Sequence, residues 1–286
     1  MCRLYGFRSA ISSGVHSSLV AAENALAEQS KKHSDGWGLA YYVGRYPHLI
    51  RNDLQALKDD LFSALSAVVA TRTFMAHIRR ATVGAAAVLN CHPFQYGSWT
   101  FGHNGEIAAF RDPEVQKRMR QLVDRRFARY LLGNTDSEMV FFIFLSQLAR
   151  AVGDVQHDGV SVEECISALS TTLSLIREAA PDRDTGDDAD ISKLNLLITN
   201  ANMMIAYHHG LQLNYSTHKT YCPERNSCPA YCVDLCETPV ESGPVNHLII
   251  SSEPIVDNHN VWVKMEDDDY VCVDHAMRFR HGTLKF

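Results

Sequence analysis

The chain has 286 residues, 46% of them hydrophobic and 21% charged, with a formal net charge of −6 at pH 7. Those values fit an ordinary globular protein of one large domain or two small ones, long enough to bury a core without staples. The acidic balance argues against a nucleic-acid or membrane-surface binder, and no apolar run reaches the ~18 residues that a spanning helix needs. The start shows no basic segment followed by an apolar one, so a cytoplasmic location is expected. Eight cysteines are present, four of them between Cys222 and Cys236, which is not the spread of a secreted disulfide framework.

In chain order, residues 2–8 alternate as a strand, and Ser17 to Gln29 carries Leu19, Val20, Ala22, Ala25 and Leu26 at helical spacing. His33-Ser34-Asp35-Gly36 reads as a turn and Trp37 to Val43 as a strand. Leu54 to Ala70 is expected to be helical, Thr73 to Ile78 a short strand, and Trp99 to His103 a strand running into Asn104-Gly105, the commonest hairpin-turn dipeptide. Pro113 to Leu132 reads as an arginine-rich helix. Thr135-Asp136-Ser137-Glu138 carries a helix-start signature for the apolar run Met139 to Val152, which is expected in an interior layer. A further helix is expected over Val160 to Ala179, then an acidic connection from Pro181 to Asp190. Beyond it come short β-like runs at Leu194–Thr199, Met203–His208, Leu211–Tyr215, His247–Ser251, Val261–Lys264 and Tyr270–Val273. This order suggests an α+β fold with strands packed face to face and helices outside.

The chemistry begins at Met1-Cys2-Arg3. Initiator methionine is normally trimmed ahead of a small side chain, which would leave Cys2 with a thiol and a free α-amine on one carbon skeleton. An α-amine titrates near ~7.7–8.0, so it can serve as a base beside the thiol it is tethered to. Four downstream segments place polar groups beside glycines at expected strand ends: His33 to Gly38, His77 to Gly84, Gly102 to Ile107, and Gly133 to Glu138.

The Met-Cys start, His77-Ile78-Arg79-Arg80-Ala81-Thr82-Val83-Gly84, His103-Asn104-Gly105-Glu106-Ile107 and Thr135-Asp136-Ser137-Glu138 together resemble the glutaminase domain of class II glutamine amidotransferases. These are N-terminal-nucleophile hydrolases, and the start together with Asp35-Gly36-Trp37-Gly38 looks most like their small stand-alone members, among them the γ-glutamyl hydrolase of ergothioneine synthesis. The motifs span roughly residues 2–150, and the β-rich remainder is expected to complete the same fold. The resemblance implies a four-layer αββα sandwich of two antiparallel sheets flanked by helices, spanning 1–286 as a single type-2 amidotransferase domain with a Cys-rich loop at about 218–240.

It also implies roles. Cys2 attacks the amide carbonyl, its amine carries the proton through a water, and Asn104 and Gly105 hold the oxyanion. One such donor is typically worth about 2.7–4 kcal/mol. Arg79 offers a planar fork for the glutamyl carboxylate, Asp136 an anion for the ammonium, and Thr82 helps position the substrate. Arg80 stands where many members have tryptophan. No cofactor is implied. Read singly, these residues have plainer explanations: strand-end charges for Arg79 and Arg80, a turn for Asn104-Gly105, a helix cap for Asp136. His33, His77, His92 and His103 lack zinc-like spacing and read as satisfied structural histidines.

Cys222, Cys228, Cys232 and Cys236, with His218, are weak metal candidates. Their spacing leaves three readings open: a small structural metal site, local disulfides, or free thiols in a loop that borders the pocket. Ser251-Ser252-Glu253-Pro254 resembles a segment near the pocket of the stand-alone relatives and receives no role. The expected activity is amide hydrolysis of glutamine or a γ-glutamyl compound through a γ-glutamyl thioester. The alternatives are a glutaminase subunit feeding ammonia to a synthase partner and a non-catalytic γ-glutamyl-binding scaffold. A symmetric homodimer is the base-rate expectation.

Overall fold

In the computed structural model, residues 2–183, 191–256 and 259–285 are described. Among the described residues fourteen strands carry the fold, beginning with β1 (Arg3–Gly14), β2 (Trp37–Val43), β3 (Tyr46–Asn52), β4 (Ala70–Ile78), β5 (Phe94–Tyr96), β6 (Trp99–Glu106) and β7 (Lys193–Thr199). The second half adds β8 (Met204–Tyr207), β9 (Asn214–Ser216), β10 (Gly243–Pro244), β11 (His247–Ser251), β12 (Val263–Lys264), β13 (Asp269–Val273) and β14 (Arg278–Thr283). They form two seven-stranded sheets, ordered β12-β9-β11-β1-β4-β2-β3 and β10-β14-β13-β8-β7-β6-β5. Every neighbouring pair is antiparallel.

The α-helices are α1 (Leu26–Gln29), α2 (Asp60–Val68), α3 (Pro113–Leu122), α4 (Arg125–Ala128), α5 (Asp136–Val152), α6 (Val162–Ala179) and α7 (Val233–Cys236). Side chains alternate across each strand, so each sheet has one face toward its partner and one toward helices. Leu4, Met75, Leu197, Met204 and Phe279 fill the space between the sheets. Phe7, Phe74, Leu26 and Phe62 join the first sheet to α1 and α2. Phe101, Phe141, Leu169 and Ile198 join the second sheet to α5 and α6. The layers are therefore αββα, as the resemblance implied. α5 is buried on every side from Asp136 to Ala149, as its uniformly apolar run predicts.

Several local expectations give way to tertiary contacts. The helix expected over Ser17–Gln29 is interrupted, because the Asn24 amide donates to Pro254 O and accepts from Val256 N–H. The Leu54–Ala70 helix is a turn of 3₁₀ followed by α2, whose cap is Asp59. Pro113–Leu132 splits at Asp124, which caps α4 while its own N–H bonds Ser146 Oγ. Asn104-Gly105 is not a hairpin turn: β6 continues through Glu106, pairing Asn104 with Asn195 and Gly105 with Leu194. Gly36 does turn the chain, at φ +127°. Of the acidic connection 181–190, residues 184–190 lie outside the described residues.

Candidate active site

Cys2 enters β1, which pairs with β4 so that Arg3 faces Ile78, and this brings residue 2 level with the end of β4. The Arg80 N–H donates to Cys2 Sγ at 3.2 Å, and Sγ in turn lies 3.3 Å from Arg80 O. Burial pushes the thiol up; the Arg80 N–H and the Arg79 charge oppose this only in part. At neutral pH the group is therefore a thiol, and a base is needed to make it a nucleophile.

The turn that brackets the thiol is itself fixed. Asp35 N–H donates to Arg79 O and Arg79 N–H to Gly36 O, while Asp35 Oδ2 accepts from Ala81 N–H at 2.8 Å. Asp35 thus pins the residues on both sides of Arg80, a task beyond the turn its sequence suggested.

Arg79 is buried, and its guanidinium donates to the carbonyls of Ala85 and Val83 at 3.0 Å each and of Gly84 at 3.3 Å. The fork is thus filled by the chain's own loop. Asp136 is equally buried as the first residue of α5. Its Oδ2 accepts from Ile107 N–H and its Oδ1 from Ser137 N–H, both at 2.8 Å, and no ion pair to it occurs among the described residues. Thr135, not Asp136, caps α5, accepting from Glu138 N–H. A carboxylate at a helix N-terminus is stabilised by the adjacent amides.

The other motif residues hold this frame together. Ser137 Oγ bonds His103 Nδ1 at 2.9 Å, joining α5 to β6. Glu138 receives the N–H groups of Leu132 and Gly133. Asn90, which no motif singled out, bridges Ala85 O to Asn134 Oδ1. Glu106 follows Gly105 at the end of β6. It is half-buried, and burial first, then the charge of Asp136, pushes its carboxyl up.

Cys2, Arg79, Arg80, Thr82, Gly105 and Asp136 share one cavity of about 20 Å³, room for a single water. Asn104 is not in its wall. Alternation places it differently: Gly102 faces Leu4 between the sheets, so Asn104 and Cys2, two residues beyond each, share that inter-sheet side. There the Asn104 Nδ2 donates to Ser252 Oγ at 3.3 Å, and its Oδ1 has no partner among the described residues. At Gly105 a Cβ would lie 1.8 Å from Lys193 O, so this position of β6 admits only glycine.

The histidines divide. His103 uses both ring nitrogens and His77 Nε2 meets His103 O, but among the described residues His77 Nδ1 and both nitrogens of His33 and His92 have no partner. The Cys-rich loop lies elsewhere. Cys222, Cys228 and Cys236 line a separate groove of about 470 Å³ with Tyr5, Phe7 and Ser9, whose side chains lie on the helix side of the first sheet, so the loop does not border the Cys2 cavity. Its cysteines are free thiols, and no group of three metal-ligating side chains occurs among the described residues. No helix among the described residues is long and apolar enough to cross a membrane.

Comparison with known proteins agrees with this frame. The sandwich overlays a glutamine aminotransferase class-II domain protein from Silicibacter pomeroyi with a TM-score of 0.63 at 16% identity, over 99% of this chain and 100% of that one. The fold is thus shared with that class-II domain protein. The family model for class-II glutamine amidotransferases matches residues 1–284, and the chain belongs to that family. It is similar to a probable glutamine amidotransferase of Saccharomyces cerevisiae, 26% identical over 91% of this chain and 74% of the relative. It is also similar to a γ-glutamyl-hercynylcysteine sulfoxide hydrolase of Mycobacterium tuberculosis, 29% identical over 29% of this chain and 38% of the relative.

Proposed function

We propose that the protein hydrolyses a γ-glutamyl amide, glutamine or a larger compound, through a γ-glutamyl thioester on Cys2. One observation carries this reading: a thiol, a buried cation and a buried carboxylate with no ion pair among the described residues converge on one cavity. A free glutamyl head presents a carboxylate, an ammonium and an electrophilic amide, and Arg79, Asp136 and Cys2 answer them in turn.

Met1 is removed, and the α-amine of Cys2 takes the thiol proton through a water. The thiolate attacks the amide carbonyl, forming a C–S bond and an oxyanion that the Asn104 side chain and the Gly105 N–H stabilise. Collapse breaks the C–N bond, the proton passes to the leaving amine or ammonia, and water then cleaves the thioester to glutamate. Burial raises the Cys2 thiol, so a base beside it assists the attack.

A cavity of about 20 Å³ cannot hold a glutamyl head. The Val83, Gly84 and Ala85 carbonyls occupy the guanidinium that the substrate carboxylate needs, so binding exchanges those neutral acceptors for a charged one. The similar sulfoxide hydrolase, by its name, acts on a γ-glutamyl compound, which favours a leaving group larger than ammonia. A second reading keeps the chemistry but delivers ammonia to a synthase partner. Exposed Val88, Leu89 and Leu132, beside the Asn90–Asn134 bridge at the cavity wall, favour it.

Glutamate release from a panel of γ-glutamyl amides tests the proposal. Turnover by the isolated protein supports the hydrolase, and turnover of glutamine only with a partner supports the subunit. No turnover, together with a Cys2 inert to a glutamine-mimicking diazo ketone, leaves a γ-glutamyl-binding scaffold and refutes catalysis.

A further inference from the structure

Ser252 follows directly on β11 and is buried at 4% exposure. Its hydroxyl accepts from Leu4 N–H at 3.0 Å and from the Asn104 Nδ2 at 3.3 Å. Its backbone N–H donates back to Leu4 O at 2.9 Å, and Asn214 Nδ2 reaches its carbonyl at 3.4 Å. One hydroxyl thus joins three strands: β1, two residues from the nucleophile; β6, at Asn104; and β11, which presents it. The next residue tightens the same joint, since Glu253 forms an ion pair with Arg3, whose guanidinium also donates to Cys2 O at 3.3 Å.

We propose that Ser252 is a positioning residue for Asn104, holding its amide at the height of the Cys2 thiol so that one N–H faces the developing oxyanion. This rests on the reading of Asn104 as an oxyanion donor. The terminal torsion of asparagine is broad, so an amide without contacts has no defined direction. The Ser252 hydroxyl is the only side-chain hydrogen bond that Asn104 makes among the described residues, and its Oδ1 is buried without a partner. In this arrangement the Ser252 hydroxyl accepts from both Leu4 N–H and one Asn104 Nδ2–H, which leaves the second amide N–H to face the oxyanion. With Ser252 locked to both backbone groups of Leu4, the oxyanion donor and the nucleophile move as one unit. Preorganisation of this kind is what gives an oxyanion hole its effect on rate rather than on binding.

The test compares wild type with Ser252→Ala, Asn104→Ala and the double variant. It measures kcat on γ-glutamyl p-nitroanilide, the Ki of L-glutamate, and Tm. Asn104→Ala is expected to lower kcat by about 100-fold or more, the usual loss for one oxyanion donor. Ser252→Ala is expected to lower kcat by roughly 10-fold with the Ki of glutamate unchanged, and to add less than about threefold in the Asn104→Ala background, since coupled residues are non-additive. If Asn104→Ala matters and Ser252→Ala leaves kcat at the wild-type value, or if the two losses multiply, this inference is overturned. If Asn104→Ala itself leaves kcat unchanged, the oxyanion reading fails first. Should Ser252→Ala not fold, Ser252→Cys, close in size with a weaker acceptor, replaces it. An intermediate kcat then supports the inference, and a wild-type kcat overturns it.

Discussion

Asp136→Asn separates two jobs that one carboxylate is given, holding the end of β6 and answering the substrate ammonium. In the native protein the two oxygens each accept one backbone N–H, from Ile107 and from Ser137, both at 2.8 Å. Asparagine keeps one acceptor and turns an NH₂ toward the other donor. That buried mismatch costs about 1–3 kcal/mol, and Tm should fall by roughly 2–4 °C for each kcal/mol in a chain of this size. Truncating one partner of a buried charge pair costs about 2–5 kcal/mol, so kcat/KM on a substrate with an α-ammonium should fall by about 100-fold at 1.4 kcal/mol per decade. The assay compares γ-glutamyl p-nitroanilide with glutaryl p-nitroanilide, which lacks the α-amino group. The variant should lose most of the wild-type preference for the glutamyl compound and change little on the glutaryl one. Equal losses on both would make Asp136 a structural carboxylate and refute its role at the ammonium.

Gly105→Ala should lower both Tm and activity sharply, because its Cβ would meet Lys193 O at 1.8 Å and force β6 from β7; overpacking of this sort costs about 1–3 kcal/mol, and a wild-type Tm would contradict the close approach. Arg79→Lys keeps the charge but not the planar fork, so KM for γ-glutamyl substrates should rise by about tenfold or more; an unchanged KM would remove Arg79 from carboxylate binding. Without substrate, alkylation of Cys2 by iodoacetamide should keep accelerating as pH rises above neutrality, since burial raises the thiol; a plateau near neutrality would show an ionised thiolate instead. His77 and His247 are held neutral by burial, each lowered to about 3. The unfolded chain therefore binds more protons than the folded one below the ordinary histidine value, and stability is full above about 6.5 and drains as pH falls toward 3. Tm measured from pH 7.5 to 4.5 should decline below that point, and a flat profile down to 5 would contradict buried neutral rings.

How much of this was legible varied with how local its cause is. The helix-start residues of α5 announced themselves because capping is local, and the uniformly apolar run behind them predicted a buried helix. The plainer explanation of Asn104-Gly105 as a turn fails because its strand partner, β7, lies some ninety residues away and leaves no trace in the dipeptide. β3 went unseen because Pro47 argues against a strand; it is tolerated because β3 is a sheet edge. The candidate site followed the same rule. Cys2, Arg79, Thr82, Gly105 and Asp136 were named from motifs and fall on one cavity, with Asn104 beside them on the inter-sheet side. Asp35, Asn90 and Ser252 act through hydrogen bonds to distant segments, and a serine or asparagine in a loop carries no local signal of its partner. Cysteine spacing alone left the loop at 218–240 open, and the fold places Cys222, Cys228 and Cys236 on a groove apart from Cys2.

The central claim is a γ-glutamyl thioester on an N-terminal Cys2. Mass spectrometry of enzyme acid-quenched during turnover of a γ-glutamyl amide, followed by peptide mapping, tests it most directly. The expected first peptide begins at Cys2, lacks Met1, and carries one glutamyl group that hydroxylamine removes. An active enzyme that retains Met1, or a glutamyl adduct on any other residue, would contradict it.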